Sequence, residues 1–121
     1  MSVYKQYCNE LVDENGRLKK ITLEYPDNFN FGYDVVDKIA DETPEKRALV
    51  WCNVEGEEHI FSFADIKKYS NQMANVFRSA GIGRGDRVML VLKRHYEYWF
   101  AAVAPPHKKS LLNVILSSSL L

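Results

Sequence analysis

Apolar and polar positions change period several times along the chain, and each change marks an expected element. Val3, Tyr4, Tyr7, Leu11 and Val12 recur at helical spacing, and Asn15-Gly16 offers a left-handed stop. A short amphipathic first helix is expected there, followed by a polar connector from Arg17 to Asn28 with Pro26 inside it. Asn30 can cap a helix from Phe31 to about Glu42 that turns Val35, Val36 and Ile39 inward, with Pro44 forbidding continuation. Ala48 to Val54 then reads as a strand, and Glu55-Gly56-Glu57 separates it from a second strand, His59 to Phe63. Glycine at the tight position predicts an antiparallel hairpin.

The sharpest junction follows. Ser62 and Asp65 have capping-box spacing, while Phe61 and Ile66 occupy the two hydrophobic-staple positions, so a helix must start there. Ile66, Tyr69, Met73, Val76, Phe77 and Ala80 are expected to line its inner face until Gly81 ends it. Val88 to Leu92 is apolar at consecutive positions, as a strand covered on both sides would be. Glu97 to Ala104 starts one more helix, stopped by Pro105-Pro106, and the remainder, HKKSLLNVILSSSLL, has no clean period. These elements predict an α/β fold, a small mixed sheet of Ala48 to Val54, His59 to Phe63 and Val88 to Leu92 flanked by helices.

Composition narrows the function classes. A chain of 121 residues supports one core. Sixteen basic and sixteen acidic residues cancel, leaving no field to attract nucleic acid or an anionic membrane. The longest apolar-rich stretch, Leu111 to Leu121, is short for a span of about 20 residues and carries Asn113 and three serines. The N-terminus has no uninterrupted apolar run of the kind that marks a secretory signal. Cys8 and Cys52 stand far apart outside any CxxC or Cys/His pattern, which points to a reducing compartment, and a cytoplasmic location is expected.

Candidate chemistry is sparse. Gly81, Gly83 and Gly85 invite a phosphate-loop reading, but they lead from helix to strand, the reverse of a phosphate loop, and no Lys-Ser or Lys-Thr follows. Lys93, Arg94 and His95 stand beyond the carboxyl end of the Val88 strand, the edge where open α/β sheets bind ligands, and are the best local candidates for touching an anion. A solvated basic turn accounts for them as well. His59, His95 and His107 have no second histidine at ligand spacing, and Glu55, Glu57 and Glu58 fit a solvated hairpin tip. No serine or cysteine sits in the context of an activated nucleophile.

From Tyr25 to Phe100 the chain resembles the N-terminal subdomain of AMP-forming acyl-CoA synthetases, in the adenylate-forming ligase superfamily. NFNFGYDVVDKIADETPEKRALVW is similar to the acetyl- and medium-chain branch in particular. FSFADIKKYSNQMANVFRSAGIGRGDRVMLVL resembles the superfamily's core helix followed by a G-x-x-x-G-D-x-V turn and strand, and Arg94, Glu97 and Trp99 in KRHYEYWF match an R-x-x-E-x-W pattern of that branch. The resemblance implies a parent reaction in which a carboxylate attacks the α-phosphate of Mg-ATP, pyrophosphate leaves, and the acyl-adenylate is captured by coenzyme A.

The family's Ser/Thr/Gly-rich loop ending in lysine, its Thr-Glu and Thr-Gly-Asp strings and its C-terminal lysine have no counterpart in these residues; Ser117 to Ser119 lacks the following glycines and lysine. No catalytic, cofactor-binding or metal-binding residue is therefore carried over, and the chain alone is expected to be inactive and to bind none of ATP, Mg or coenzyme A. Its expected divisions are 1–24, an N-terminal helix and connector; 25–104, a partial subdomain; and 105–121, a divergent, out-of-frame tail. Its expected partners are itself or the missing part of the ligase, with no nucleic acid and no membrane span. An interaction module belonging to a split ligase is the rival reading.

Overall fold

A computed structural model describes residues 3–83, 86–92 and 95–104 together with the backbone of 115–116. A 3-10 turn, Val3–Gln6, leads into two strands, β1 (Cys8–Val12) and β2 (Leu18–Leu23), which pair antiparallel. The expected first helix is therefore a hairpin, and half of the expected connector is its second strand. Local chemistry decides this. Asp13 Oδ1 accepts hydrogen bonds from the amides of Asn15 and Arg17, both at 2.9 Å, and Gly16 takes the left-handed conformation at φ 74°. Asn-Gly between two runs with apolar positions is a hairpin turn first and a helix stop second.

The second helical region matches expectation in place but not in winding. Asn30 Oδ1 accepts from the amide of Tyr33 at 3.2 Å, and Asp34 Oδ2 accepts from the Asn30 amide at 2.7 Å. Gly32–Asp37 is wound as a π-helix and continues into α1 (Lys38–Glu42). The wider turn shifts the inward face, so Gly32, Val35, Val36 and Ala40 are buried while Ile39 is half-buried.

Strands β3 (Arg47–Cys52) and β4 (Glu58–Ser62) form the expected hairpin, closed by Asn53 and by Gly56 at φ 86°. Ser62 ends β4 and caps α2 (Phe63–Ser79) without an intervening loop. The capping box is complete: the Asp65 amide donates to Ser62 Oγ at 3.2 Å and the Ser62 amide to Asp65 Oδ2 at 2.9 Å. The inner face of α2 is Ile66, Ser70, Ala74 and Phe77, with Tyr69 and Met73 partly covered. Val76 and Ala80, expected on that face, are exposed. The stripe actually follows Ile66, Ser70, Ala74 and Phe77, so one small polar residue belongs to it and one β-branched residue does not.

At the far end Gly81, φ 78°, closes α2: the Gly81 amide reaches Arg78 O at 3.0 Å and the Ile82 amide reaches Phe77 O at 2.9 Å. That is a Schellman pattern, and Ile82 packs on the cluster containing Phe77. Strand β5 (Met89–Leu90) is shorter than the expected Val88 to Leu92, α3 (Glu97–Ala102) ends before Ala104, and β6 (Ile115–Leu116) pairs parallel to β5. The fold is α/β, as expected, but the expected single mixed sheet is divided into three two-stranded ladders: β1–β2, β3–β4 and β5–β6.

Helix α2 is the hub. On one side Ala74 and Phe77 meet Ala101 and Ala104, with Val88 and Leu90 against them. On the other, Val36, Ile66 and Phe100 form a second cluster under Leu49, Phe61 and Tyr96. Alanines at the first contact let α3 lie close to α2.

Candidate functional site

The region that the sequence singles out lies where β5 ends and α3 begins. Lys93 and Arg94 lie outside the described residues, as do Gly85 and His107. His95 is exposed, with Nδ1 3.7 Å from Glu97 Oε2. That separation is too long for a direct hydrogen bond, and Glu97 Oε2 has no hydrogen-bond partner among the described residues.

What positions this corner is an aromatic cluster. Tyr96, immediately before α3, has its ring centroid 4.9 Å from His59, 5.0 Å from Phe61 and 5.4 Å from Trp51, the last edge-on. Phe100, one turn later, stacks on Tyr69 at 4.8 Å and meets Phe61 edge-on at 5.3 Å. The hairpin supplies Trp51, His59 and Phe61 because Trp51 pairs with His59 and Leu49 with Phe61 across the ladder, placing both pairs on one face. Sequence reasoning treated His59 as an ordinary strand residue. The pairing of His59 with Trp51, two residues from Phe61 on the same face, is the signal that joins it to Tyr96.

The glycine turn does not present free amides to an anion. The Gly83 amide donates to Asp86 Oδ2 at 2.7 Å, so a carboxylate of the chain occupies the place a phosphate oxygen would take. A depression of ≈ 260 Å³ is lined by Asn28, Asn30, Tyr33 and Asp34, but Asn30 and Asp34 are already engaged in capping one another's helix end. Among the described residues no group of His, Cys, Asp and Glu could hold a metal, and Cys8 and Cys52 are free thiols.

The perturbed ionisations sit elsewhere. Burial, partly offset by Lys67, raises the Asp37 carboxyl above its ordinary value. The hydrogen bond with Asp41, at 2.6 Å, raises Lys67. The Ser62 amide and then its hydroxyl lower Asp65. All three serve helix ends and the α1–α2 contact, so none marks a general acid or base at the corner.

A scaffold without a reacting group is thus what the described residues form, and comparison with known proteins says whose scaffold it is. The sequence profile of the AMP-binding enzyme family matches residues 36–107, which include β3, β4, α2, β5 and α3. The chain belongs to the AMP-binding enzyme family.

Within that family it is similar to human mitochondrial acyl-coenzyme A synthetase ACSM3, 40% identical over 88 residues, covering 68% of this chain and 15% of the relative. It is 45% identical over 82 residues to human mitochondrial ACSM2A, covering 63% and 14%. Among solved structures, a fatty acid AMP ligase from Legionella pneumophila superposes with a TM-score of 0.63 at 19% identity, over 74% of this chain and 16% of the ligase. That likeness shows the fold. This family member therefore spans about 15% of the length of such relatives. No described helix is long and apolar enough to cross a membrane.

Proposed function

We propose that this chain is the N-terminal scaffold of an AMP-forming acyl-CoA synthetase, whose parent reaction joins a carboxylic acid to coenzyme A with cleavage of ATP to AMP and pyrophosphate. The observation that carries this reading is the family match over residues 36–107, centred on the β4–α2 junction and the Gly81 turn. The scaffold stretch is 25–104, the hairpin side is 1–24, and 105–121 is a divergent tail.

Residues 1–121 alone carry no adenylation, because the described residues offer neither a phosphate cradle nor a metal cluster to stabilise charge developing on phosphorus. In the complete enzyme ATP, Mg and coenzyme A would be held by other parts of the ligase. For location, two free thiols fit a reducing compartment. The relatives are named mitochondrial, which makes the mitochondrion the compartment to compare with the cytoplasm.

ATP–pyrophosphate exchange with a panel of short- and medium-chain acids tests the reading. Residues 1–121 are expected to give none. Exchange above background by this chain alone would show that it is a catalyst in its own right and not a scaffold.

A further inference from the structure

Each of the three ladders leaves an apolar face in water. In β1–β2, directly opposed residues share a face, which gathers Val12, Leu18, Ile21 and Leu23 around Glu10. In β3–β4, Val50 and Ile60 oppose each other on the side away from the aromatic cluster and are 45% and 56% exposed. In β5, Leu90 and the preceding Val88 pack inward, while Met89 and Val91 are 64% and 61% exposed. Parallel ladders are stable in α/β proteins when both faces are covered, and soluble monomers seldom bare several such surfaces.

We propose that these faces seat the body of an AMP-binding ligase, the part of the relatives' length that this chain does not span. The inference rests on the reading given under Proposed function. Three considerations select that occupant. The matching ligase from Legionella pneumophila holds the same fold within a chain of which this one covers 16%, so a body large enough to cover three faces belongs to the family. A second copy is a poorer fit, because two-fold pairing sets Glu10 against Glu10 at the centre of the first face and would extend the parallel β5–β6 ladder antiparallel. A small ligand needs a concave site, and these are ladder faces.

The test uses a chimera in which residues 1–104 replace the matching segment of human ACSM2A, beside the isolated chain. Met89→Asp and Ile60→Asp are made in both, with Val54→Asp at the hairpin tip as control. Met89→Gln and Ile60→Thr serve as milder substitutes where Asp prevents folding. Expected in the chimera is a thermal midpoint lowered by several degrees for the Met89 and Ile60 variants and unmoved for the control. In the isolated chain all three should be neutral. Equal midpoints for all chimeras would overturn the docking faces, and so would equal losses in chimera and isolated chain. Acyl-CoA formation is read separately: an active chimera with unmoved midpoints sinks the docking proposal and leaves the family reading standing. An inactive chimera with shifted midpoints does the reverse.

Discussion

Asp65 and Asp37 show how a single carboxylate acts with opposite sign depending on its partners. Asp65 is lowered because it accepts from the Ser62 amide and hydroxyl, so it contributes stability above its ordinary pKa of 3.8 that is lost as pH falls through its depressed folded value. Asp37 is raised by burial, so it costs stability once pH exceeds its folded value, and that cost disappears as pH falls below 3.8. Asp37→Asn is expected to raise the unfolding midpoint at pH 7 and to leave it unchanged near pH 3; a lower midpoint at pH 7 would show that its attraction to Lys67 outweighs its burial. Ser62→Ala removes the cap acceptor and should cost about 1 kcal/mol in urea unfolding. A change within a few tenths would mean that the staple alone, Phe61 against Ile66, fixes the helix start.

At the scale of elements, the Gly81 stop and the aromatic joint carry the packing. Gly81→Ala places a Cβ in a left-handed conformation, φ 78°, and should cost about 1 kcal/mol although open space surrounds the position. Phe100→Ala should cost about 3 kcal/mol and detach α3 from Tyr69 and Phe61, read as lost near-ultraviolet circular dichroism together with a lower midpoint. These are the elements that were legible in the sequence, because their signals are local: Ser62 with Asp65, Gly56 between strands, Gly81 after a long amphipathic stripe. The first hairpin was missed for a local reason too. Val3 to Val12 fits a helical period by chance of spacing, whereas the Asp13 side chain, bonded to two amides across Asn15-Gly16, closes a turn that a helix cannot accommodate. The division into three ladders was not legible at all, since strand neighbours are set by long-range packing on α2. At the candidate corner the sequence located Lys93 to His95 but not Tyr96 with Trp51 and His59, which meet only across a hairpin.

For the whole molecule, the central fact is how unevenly stability is spread. Helix α2 touches both core clusters, while β1–β2 has no buried residue and an isolated two-stranded hairpin is marginal in water. Hydrogen exchange should therefore release the β1–β2 amides first and the middle of α2 last; protection of the hairpin equal to that of α2 would contradict the fold's hierarchy. With apolar faces bare on every ladder, residues 1–121 in isolation should bind a hydrophobic dye under native conditions and assemble as concentration rises. A monodisperse monomer that binds no dye would count against this.

The shared role of Ser62, last residue of a strand and cap of a helix, has a geometric consequence. Because no loop separates β4 from α2, the ladder phase and the helix phase are geared to one another. One residue inserted after Ser62 would turn α2 by about 100° about its axis. Ile66, Ala74 and Phe77 would then swing away from both clusters at once, whereas an insertion at the Glu55–Glu57 tip would merely lengthen a turn. The joint works as a fixed gear rather than a hinge, and it ties the orientation of α3, and of the Lys93–His95 turn before it, to the register of a hairpin on the opposite side of the core.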